Sequence, residues 1–197
     1  VRWDRPICKE KNRYIGWPTV CRLSNGDVIA VFSGDREGHV CPWGKVQMVR
    51  STDDGETWSA PQTIQNGPID DRDAGLVQTP DGDLVLTWFT SDYYRSLMHE
   101  GEEYPPDMPQ YWWRRHDEKI AADVREAAIG YFRAISRDNG KTWTKPMRME
   151  GVGNAPHGPR LLKDGSLLQL GVGHKMRNVK GTVKDCTRLW VTRSTDK

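Results

Sequence analysis

Phenylalanine is scarce in this sequence, with three copies against nine tryptophans, and no apolar run approaches the length that spans a bilayer. Insertion into a membrane by a helix is therefore not expected. Charge of one sign is lacking too, because 29 Lys and Arg face 27 Asp and Glu, a formal net charge of +2 over 197 residues. That balance gives no electrostatic case for a nucleic-acid partner. The four cysteines (Cys8, Cys21, Cys41 and Cys186) include no Cys-x-x-Cys spacing, which argues against structural zinc. Their even number permits disulfides without requiring them. No cofactor motif is recognisable, and no residue is assigned to a metal. Hydrophobic residues make up 36% of the chain. With tryptophan so prominent, that composition suits short strands with aromatic plugs better than a helical bundle.

What is present is one phrase written twice. Ser51-Thr52-Asp53-Asp54-Gly55-Glu56-Thr57-Trp58 and Ser136-Arg137-Asp138-Asn139-Gly140-Lys141-Thr142-Trp143 share the pattern Ser-x-Asp-x-Gly-x-x-Trp. Each follows a strand-like run and is followed by a proline. The pattern predicts a hairpin corner. The Asp carboxylate accepts bonds from the turn's own N–H groups, Gly supplies the positive φ, and Trp folds back as an apolar plug. Asp53 and Asp138 are thus read as structural. A third copy starts at Arg193-Ser194-Thr195-Asp196 and is cut off at Lys197. Val1 does not open a signal peptide, so we expect a segment of a longer protein.

Strand patterns repeat in step with this phrase. Runs Tyr14 to Arg22, Val28 to Phe32, Lys45 to Arg50 and Pro61 to Gln65 form a first unit, with a tight turn at Asn25-Gly26. The second has Ala74 to Thr79, a turn at Asp81-Gly82, Leu84 to Thr90 and Ile129 to Ile135. The third has Pro159 to Leu162, a turn at Asp164-Gly165, Leu167 to Gly171 and Thr187 to Thr192. From Asn25 to Asp81 is 56 residues and from Asp81 to Asp164 is 83, while Ser51 to Ser136 is 85 and Ser136 to Ser194 is 58. Both series imply a unit of roughly 57 residues and one insertion of roughly 27. The insertion is Ser91 to Ala128. Within it, Asp107 as cap, Pro109 in the first turn, and Trp113, Ile120, Val124 and Ala128 at helical spacing predict one amphipathic helix. It is approached by Tyr93, Tyr94 and Tyr104. Either it is an excursion packed by its apolar stripe, or it is a wall of the binding cleft.

In four-stranded meanders, the loops between strands two and three share a face with the connections between units. That face gathers Arg36, His39, Cys41 and Trp43, then Asp70-Asp71-Arg72-Asp73, the insertion with Tyr93, the junction Asn154 to Arg160 with His157, and His174 to Arg177. Guanidinium groups, carboxylates and imidazoles meet there, and an anionic sugar fits them, because a planar guanidinium pairs bidentately with a carboxylate. We assign Arg36, Arg72, Asp73, Trp43, Tyr93 and Arg160 to substrate binding and His39, Asp71 and His157 to catalysis. The plainer alternatives are a solvated or ion-paired loop for Arg36, a surface imidazole for His39 and His157, and a salt-bridged junction for the Asp71-Arg72-Asp73 trio. His99 and His116, in the insertion, are read as solvated.

The two phrases resemble the Asp-box (BNR) repeats of the sialidase superfamily. The resemblance implies an all-β, sialidase-like propeller of four-stranded antiparallel blades, six in the family. Here about three would be present: about 14–65, about 73–150 with the insertion at 91–128, and a truncated 157–197. Three blades cannot close a ring, so the remaining blades are expected elsewhere. The resemblance also implies a glycan substrate and a secreted or periplasmic protein. At the site, the match is partial. Where sialidases have a Tyr-Arg-Ile-Pro motif, this chain has Ile15-Gly16-Trp17-Pro18, with Gly16 in the place of a carboxylate-clamping Arg. Phe32-Ser33-Gly34-Asp35-Arg36 echoes the family's second landmark, with Arg36 on the matching position. His39 stands in the loop where the family has its acid/base Asp. The nucleophilic Tyr, its Glu partner and the remaining clamp arginines come from later blades. The leading expectation is a sialidase-type exo-glycosidase that hydrolyses a terminal acidic sugar. The alternatives are a lyase acting on a uronic-acid polymer, with His39, His157 or Tyr93 as base, and a non-catalytic glycan-binding propeller using Trp17, Trp43, Tyr93 and Tyr94 as stacking surfaces.

Overall fold

The computed structural model describes residues 4–150, 157–172 and 189–195. The expected loop at His174 to Arg177, the junction residues Asn154 to Pro156, Cys186 and the third phrase beyond Thr195 lie outside the described residues. Three antiparallel sheets follow one another along the chain. The first holds β1 (Tyr14–Arg22), β2 (Val28–Arg36), β3 (Lys45–Ser51) and β4 (Gln62–Gln65), hydrogen-bonded in that order. The second repeats the order with β5 (Asp70–Gln78), β6 (Leu84–Ser91), β7 (Gly130–Ser136) and β8 (Met147–Arg148). The third, of three strands, has β9 (Arg160–Leu161), β10 (Leu167–Val172) and β11 (Leu189–Ser194).

Burial explains the strand compositions. β2 and β6 are the second strands of their sheets and are buried almost throughout, with the apolar runs Val28 to Phe32 and Leu84 to Phe89 broken only by Thr87. β1 faces solvent on alternate residues. The main core lies between the first two sheets, where Ile29, Val31, Val46 and Met48 meet Leu76, Leu84, Leu86 and Trp88, plugged by Trp143 of the second box. Trp58 of the first box closes the opposite face of the first sheet over Ala30, Phe32 and Val49.

The box corners form as their chemistry predicts. Gly55 N–H donates to Ser51 Oγ at 2.8 Å and Thr57 N–H to Asp53 Oδ1 at 2.8 Å; Gly140 and Thr142 repeat this on Ser136 and Asp138 at 2.7 and 2.9 Å. Asp54-Gly55 and Asn139-Gly140 supply consecutive positive φ angles.

Two expectations are corrected. Arg36 and the Asp70 to Asp73 run belong to strands, not loops, because β2 pairs with β1 as far as Tyr14↔Arg36 and β5 pairs with β6 from Asp70↔Ser91. The insertion forms two helices, α1 (Pro109–Asp117) and α2 (Ala122–Ala128), after a 3-10 turn at Tyr93–Leu97. The α1 cap position is Met108 and makes no side-chain capping bond, so Asp107 does not cap it. The break falls where Ala121 adopts extended angles, and the Arg125 guanidinium turns back to the carbonyls of Asp117 and Ile120 at 2.8 and 3.1 Å. Those contacts fold α2 onto the end of α1 and leave Val124 46% exposed, outside the expected apolar stripe. Among the described residues, no helix is long and apolar enough to cross a membrane.

Candidate functional site

The first strand of the second sheet supplies the centre of the site. Its residues Asp70 to Asp73 alternate in direction, and a bulge between Arg72 and Gly75 re-aims the last of them. Asp70 is completely buried and takes both ends of Arg36, with Nη1 donating to Oδ1 at 2.6 Å and Nη2 to Oδ2 at 2.9 Å. Arg36 also donates to the carbonyls of Gly38 and His39 at 3.3 and 3.1 Å. This fork ties the β2–β3 loop to the second sheet. Gly44 is required beside it, because a Cβ there would overlap both the guanidinium and the Asp70 carboxylate. Arg36, with no exposed surface, lies beneath the mouth rather than in it.

Arg72 differs. Its residue surface is 7% exposed, and its guanidinium carbon sits 5.0 Å from the Trp17 ring centroid and 5.6 Å from that of Phe89. The nearest carboxylate oxygens are Asp70 Oδ2, 3.5 Å from Nη1, and Asp73 Oδ1, 3.7 Å from Nε. Neither approach is a hydrogen bond, and Arg72 Nε and Asp73 Oδ1 are buried without a hydrogen-bond partner among the described residues. A buried cation whose Nε is open among the described residues is thus held beside a buried carboxylate with one open acceptor.

Asp73 is the point at which the other candidates meet. Its N–H donates to Ser33 Oγ at 2.8 Å. Burial pushes its carboxyl above the ordinary carboxylate range, against the downward pull of Arg72, Arg36, His157 and His39. His39 is exposed and lies edge-on to Trp17 at 4.8 Å and to Tyr14 at 6.5 Å. His157 Nδ1 is 3.5 Å from Thr19 Oγ1, and the adjoining Gly158 backbone packs directly on Gly75. The structure therefore brings together Arg72, Asp73, His39 and His157, with Arg36 underneath.

Backbone strain gathers at the same place. Among non-glycine residues, Trp17, Asp35, Asp73 and His157 adopt φ of 53°, 51°, 57° and 69°. Such conformations cost on the order of 1–3 kcal/mol each and persist only where the surroundings over-determine them.

The remaining candidates are placed elsewhere. Asp71 points away from Asp70 and Arg72, accepting bonds from Thr90 Oγ1 and Gly67 N–H, both at 2.5 Å. It lines a separate cavity of about 140 Å³ with Trp88, Phe132 and Ala127. Burial pushes its carboxyl up to about 6. Trp43 packs in a second apolar cluster with Ile69, Tyr94 and Trp113, its ring edge-on to His116 at 5.4 Å. His116 is engaged, not simply solvated, since its Nε2 lies 2.8 Å from the Pro68 carbonyl. Tyr93 opens the 3-10 turn, half-buried, and Arg160 is exposed on β9. The insertion reaches the β2–β3 loop through Trp113, whose Nε1 donates to Glu37 at 3.0 Å.

Sequence reasoning missed Phe89, whose contact with Arg72 follows from the register Arg72↔Phe89 and so requires the strand pairing to be known. It also missed Tyr131, a buried phenol bonded to Gln169, which burial pushes up to about 12 and whose neighbours include Asp73. Among the described residues, no group of three His, Cys, Asp or Glu side chains is placed to hold a metal ion.

Blade-like four-stranded sheets with an Asp-box corner between third and fourth strands define an all-β, sialidase-like fold. The BNR/Asp-box repeat family matches residues 49–60 and 134–145. Among solved structures, the chain is similar to a protein of unknown function from Dyadobacter fermentans DSM 18053, with 18% identity and a TM-score of 0.60 over 96% of this chain and 54% of that one. It is also similar to the NanB sialidase from Streptococcus pneumoniae, with 13% identity and a TM-score of 0.56 over 83% of this chain and 42% of that one. The Hadza microbial sialidase Hz136 matches at 16% identity and a TM-score of 0.51, over 79% of this chain and 32% of that one. The chain thus spans about half, or less, of the length of these structures. At these identities the likeness is one of fold. No curated protein matches the sequence.

Proposed function

We propose that the protein is a carbohydrate-active propeller whose mouth takes an acidic sugar and cleaves its glycosidic bond by hydrolysis, as a sialidase-type exo-glycosidase acting outside the cytoplasm. The observation that carries this reading is Arg72, a nearly buried guanidinium whose Nε has no hydrogen-bond partner among the described residues, beside Asp73. A carboxylated sugar supplies the missing acceptor, and a charge-assisted bidentate bond gives the geometric preference. Asp73 takes the role of proton donor to the leaving oxygen, because burial keeps its carboxyl protonated to higher pH than an exposed one. This moves the acid from Asp71 to Asp73, since Asp71 opens on a different cavity. His39 and His157 flank Asp73 and tune its charge. Arg36 supports the site by holding Asp70.

The test is incubation of the protein with sialosides and uronic-acid glycans, followed by mass analysis of the products. Hydrolysis adds one water across the broken bond. The expected outcome is a product pair carrying that water, with activity reduced about 100-fold or more in Asp73→Asn. Arg72→Ala is expected to raise KM for the acidic substrate. Products lacking the water would replace hydrolysis with β-elimination. That second reading is favoured by the two histidines beside Asp73, with His39 or His157 as base and Arg72 neutralising the carboxylate.

A further inference from the structure

Trp17 is held at positive φ, 53°, and its ring is in contact with several side chains of the site. The Arg72 guanidinium carbon lies 5.0 Å from it and that of Arg36 lies 5.5 Å from it, while His39 stands edge-on at 4.8 Å and Tyr14 packs at 5.6 Å, tilted by 49°. An indole engaged by two guanidinium groups, an imidazole and a phenol has little face left for a sugar. Phe89 also lies within cation–π range of Arg72, at 5.6 Å. Two rings therefore contact a guanidinium whose Nε has no hydrogen-bond partner among the described residues.

We infer that Trp17 and Phe89 are positioning residues that clamp the Arg72 guanidinium by cation–π contact, and that this clamp sets the selectivity of the mouth for carboxylated over uncharged sugars. A guanidinium lying over aromatic rings keeps N–H donors for a ligand, because the rings offer it no hydrogen-bond acceptor of ordinary strength. An unclamped arginine would swing to Asp70 or Asp73, whose oxygens lie at 3.5 and 3.7 Å, and would be neutralised internally. The aromatic rings prevent that collapse without competing for the donors, because cation–π attraction acts through the face and hydrogen bonding through the edge. The positive φ of Trp17 follows from the same demand, since the indole must turn back over β5 instead of continuing the alternation of β1.

This inference rests on the reading of Arg72 as the carboxylate ligand, and the test separates the two. Dissociation constants are measured for sialyllactose and a glucuronic-acid disaccharide, each against its carboxyl-reduced form. Arg72→Ala is expected to bring the acid-to-reduced ratio to near parity. Trp17→Leu should lower that ratio about tenfold, with Trp17→Phe restoring much of it. Where Trp17→Leu does not fold, Phe89→Leu carries the same expectation. The NMR resonances of the Arg72 side-chain N–H groups provide a ligand-free readout. Ring currents hold them away from the free-arginine position in the native protein, and they move toward it in either leucine variant. A ratio sensitive to Arg72 but unchanged by Trp17→Leu and Phe89→Leu would overturn the clamp and leave the carboxylate reading standing. A native protein that binds acid and reduced forms equally would overturn the carboxylate reading, and the Arg72 resonances would then decide the clamp by themselves.

Discussion

Asp70 and Asp71 are neighbours in sequence with opposite circumstances. Asp70 is buried with a bidentate Arg36, whereas Asp71 is buried against a hydroxyl and an amide, with no cation bonded to it among the described residues. Desolvation consequently dominates at Asp71 and raises its carboxyl from 3.8 to about 6. The sign for stability follows from a folded-state value above the unfolded one. The contribution is fully present below about pH 4 and is lost as pH rises through 6, a loss of about 3 kcal/mol by neutral pH. The box carboxylates act the other way. Hydrogen bonds hold Asp53 down at about 2 and Asp138 lower still, so their contribution is lost only in stronger acid. We predict that Asp71→Asn makes the protein less sensitive to pH between 4 and 7, raising its stability at pH 7 relative to native. Asp73 shifts in the same direction as Asp71, so the comparison is between urea midpoints of variant and native protein at pH 4.5 and 7.5. An identical change in both proteins between those pH values would show that Asp71 is not the group responsible.

At the scale of elements, what is local proved readable and what depends on pairing did not. Each box closes on hydrogen bonds within eight residues, Ser51 to Trp58 or Ser136 to Trp143, so its pattern alone specifies the corner. The insertion is different. Its apolar residues keep helical spacing across Ile120, yet the helix breaks there because Arg125 and Asp117 make contacts that spacing does not encode. Asp117 is the hub of that segment. It accepts the Tyr94 hydroxyl at 2.7 Å and lies 3.2 Å from both the Arg95 Nε and Arg125 Nη2 groups. Removing it as Asp117→Ala strands a phenol that is buried, which costs about 1–3 kcal/mol. Hydrogen exchange should then quicken about tenfold or more across 109–128 while the corner at 51–58 keeps its protection. Equal loss of protection in both regions would mean that the insertion and the sheets open as one unit.

At the scale of the molecule, the seam between the first two sheets assembles the site. Thr19 Oγ1 donates to the Ala74 carbonyl at 3.0 Å, Ser24 N–H to Gln78 at 2.7 Å, Asp71 N–H to the Gly44 carbonyl at 3.0 Å, and Arg36 reaches Asp70. The chain order suggested a shared face for the loops and junctions; it gave no sign of which residues would be ion-paired across the seam, because such pairs span two sheets. The next seam depends on glycine. A Cβ on Gly75 would overlap the Gly158 backbone, which carries His157 to Thr19. We predict that Gly75→Ala displaces His157 and destabilises the protein by about 1–3 kcal/mol through overpacking. The His157 imidazole resonance and the thermal midpoint report on the two effects. An unchanged resonance would place the strain elsewhere in β5.

The box corners and the mouth lie at opposite ends of the same strands. β2 runs from the hairpin turn beside the first box to Arg36, and β3 returns from the loop after Trp43 to Ser51. A sheet of this kind is latched at one end by bonds within its own eight-residue corner, and at the other presents whatever chemistry the loops and strand ends bear. Copying the unit copies the latch without copying the chemistry. A ring built this way can diversify its substrate by rewriting one rim, blade by blade, while the opposite rim keeps every blade folded.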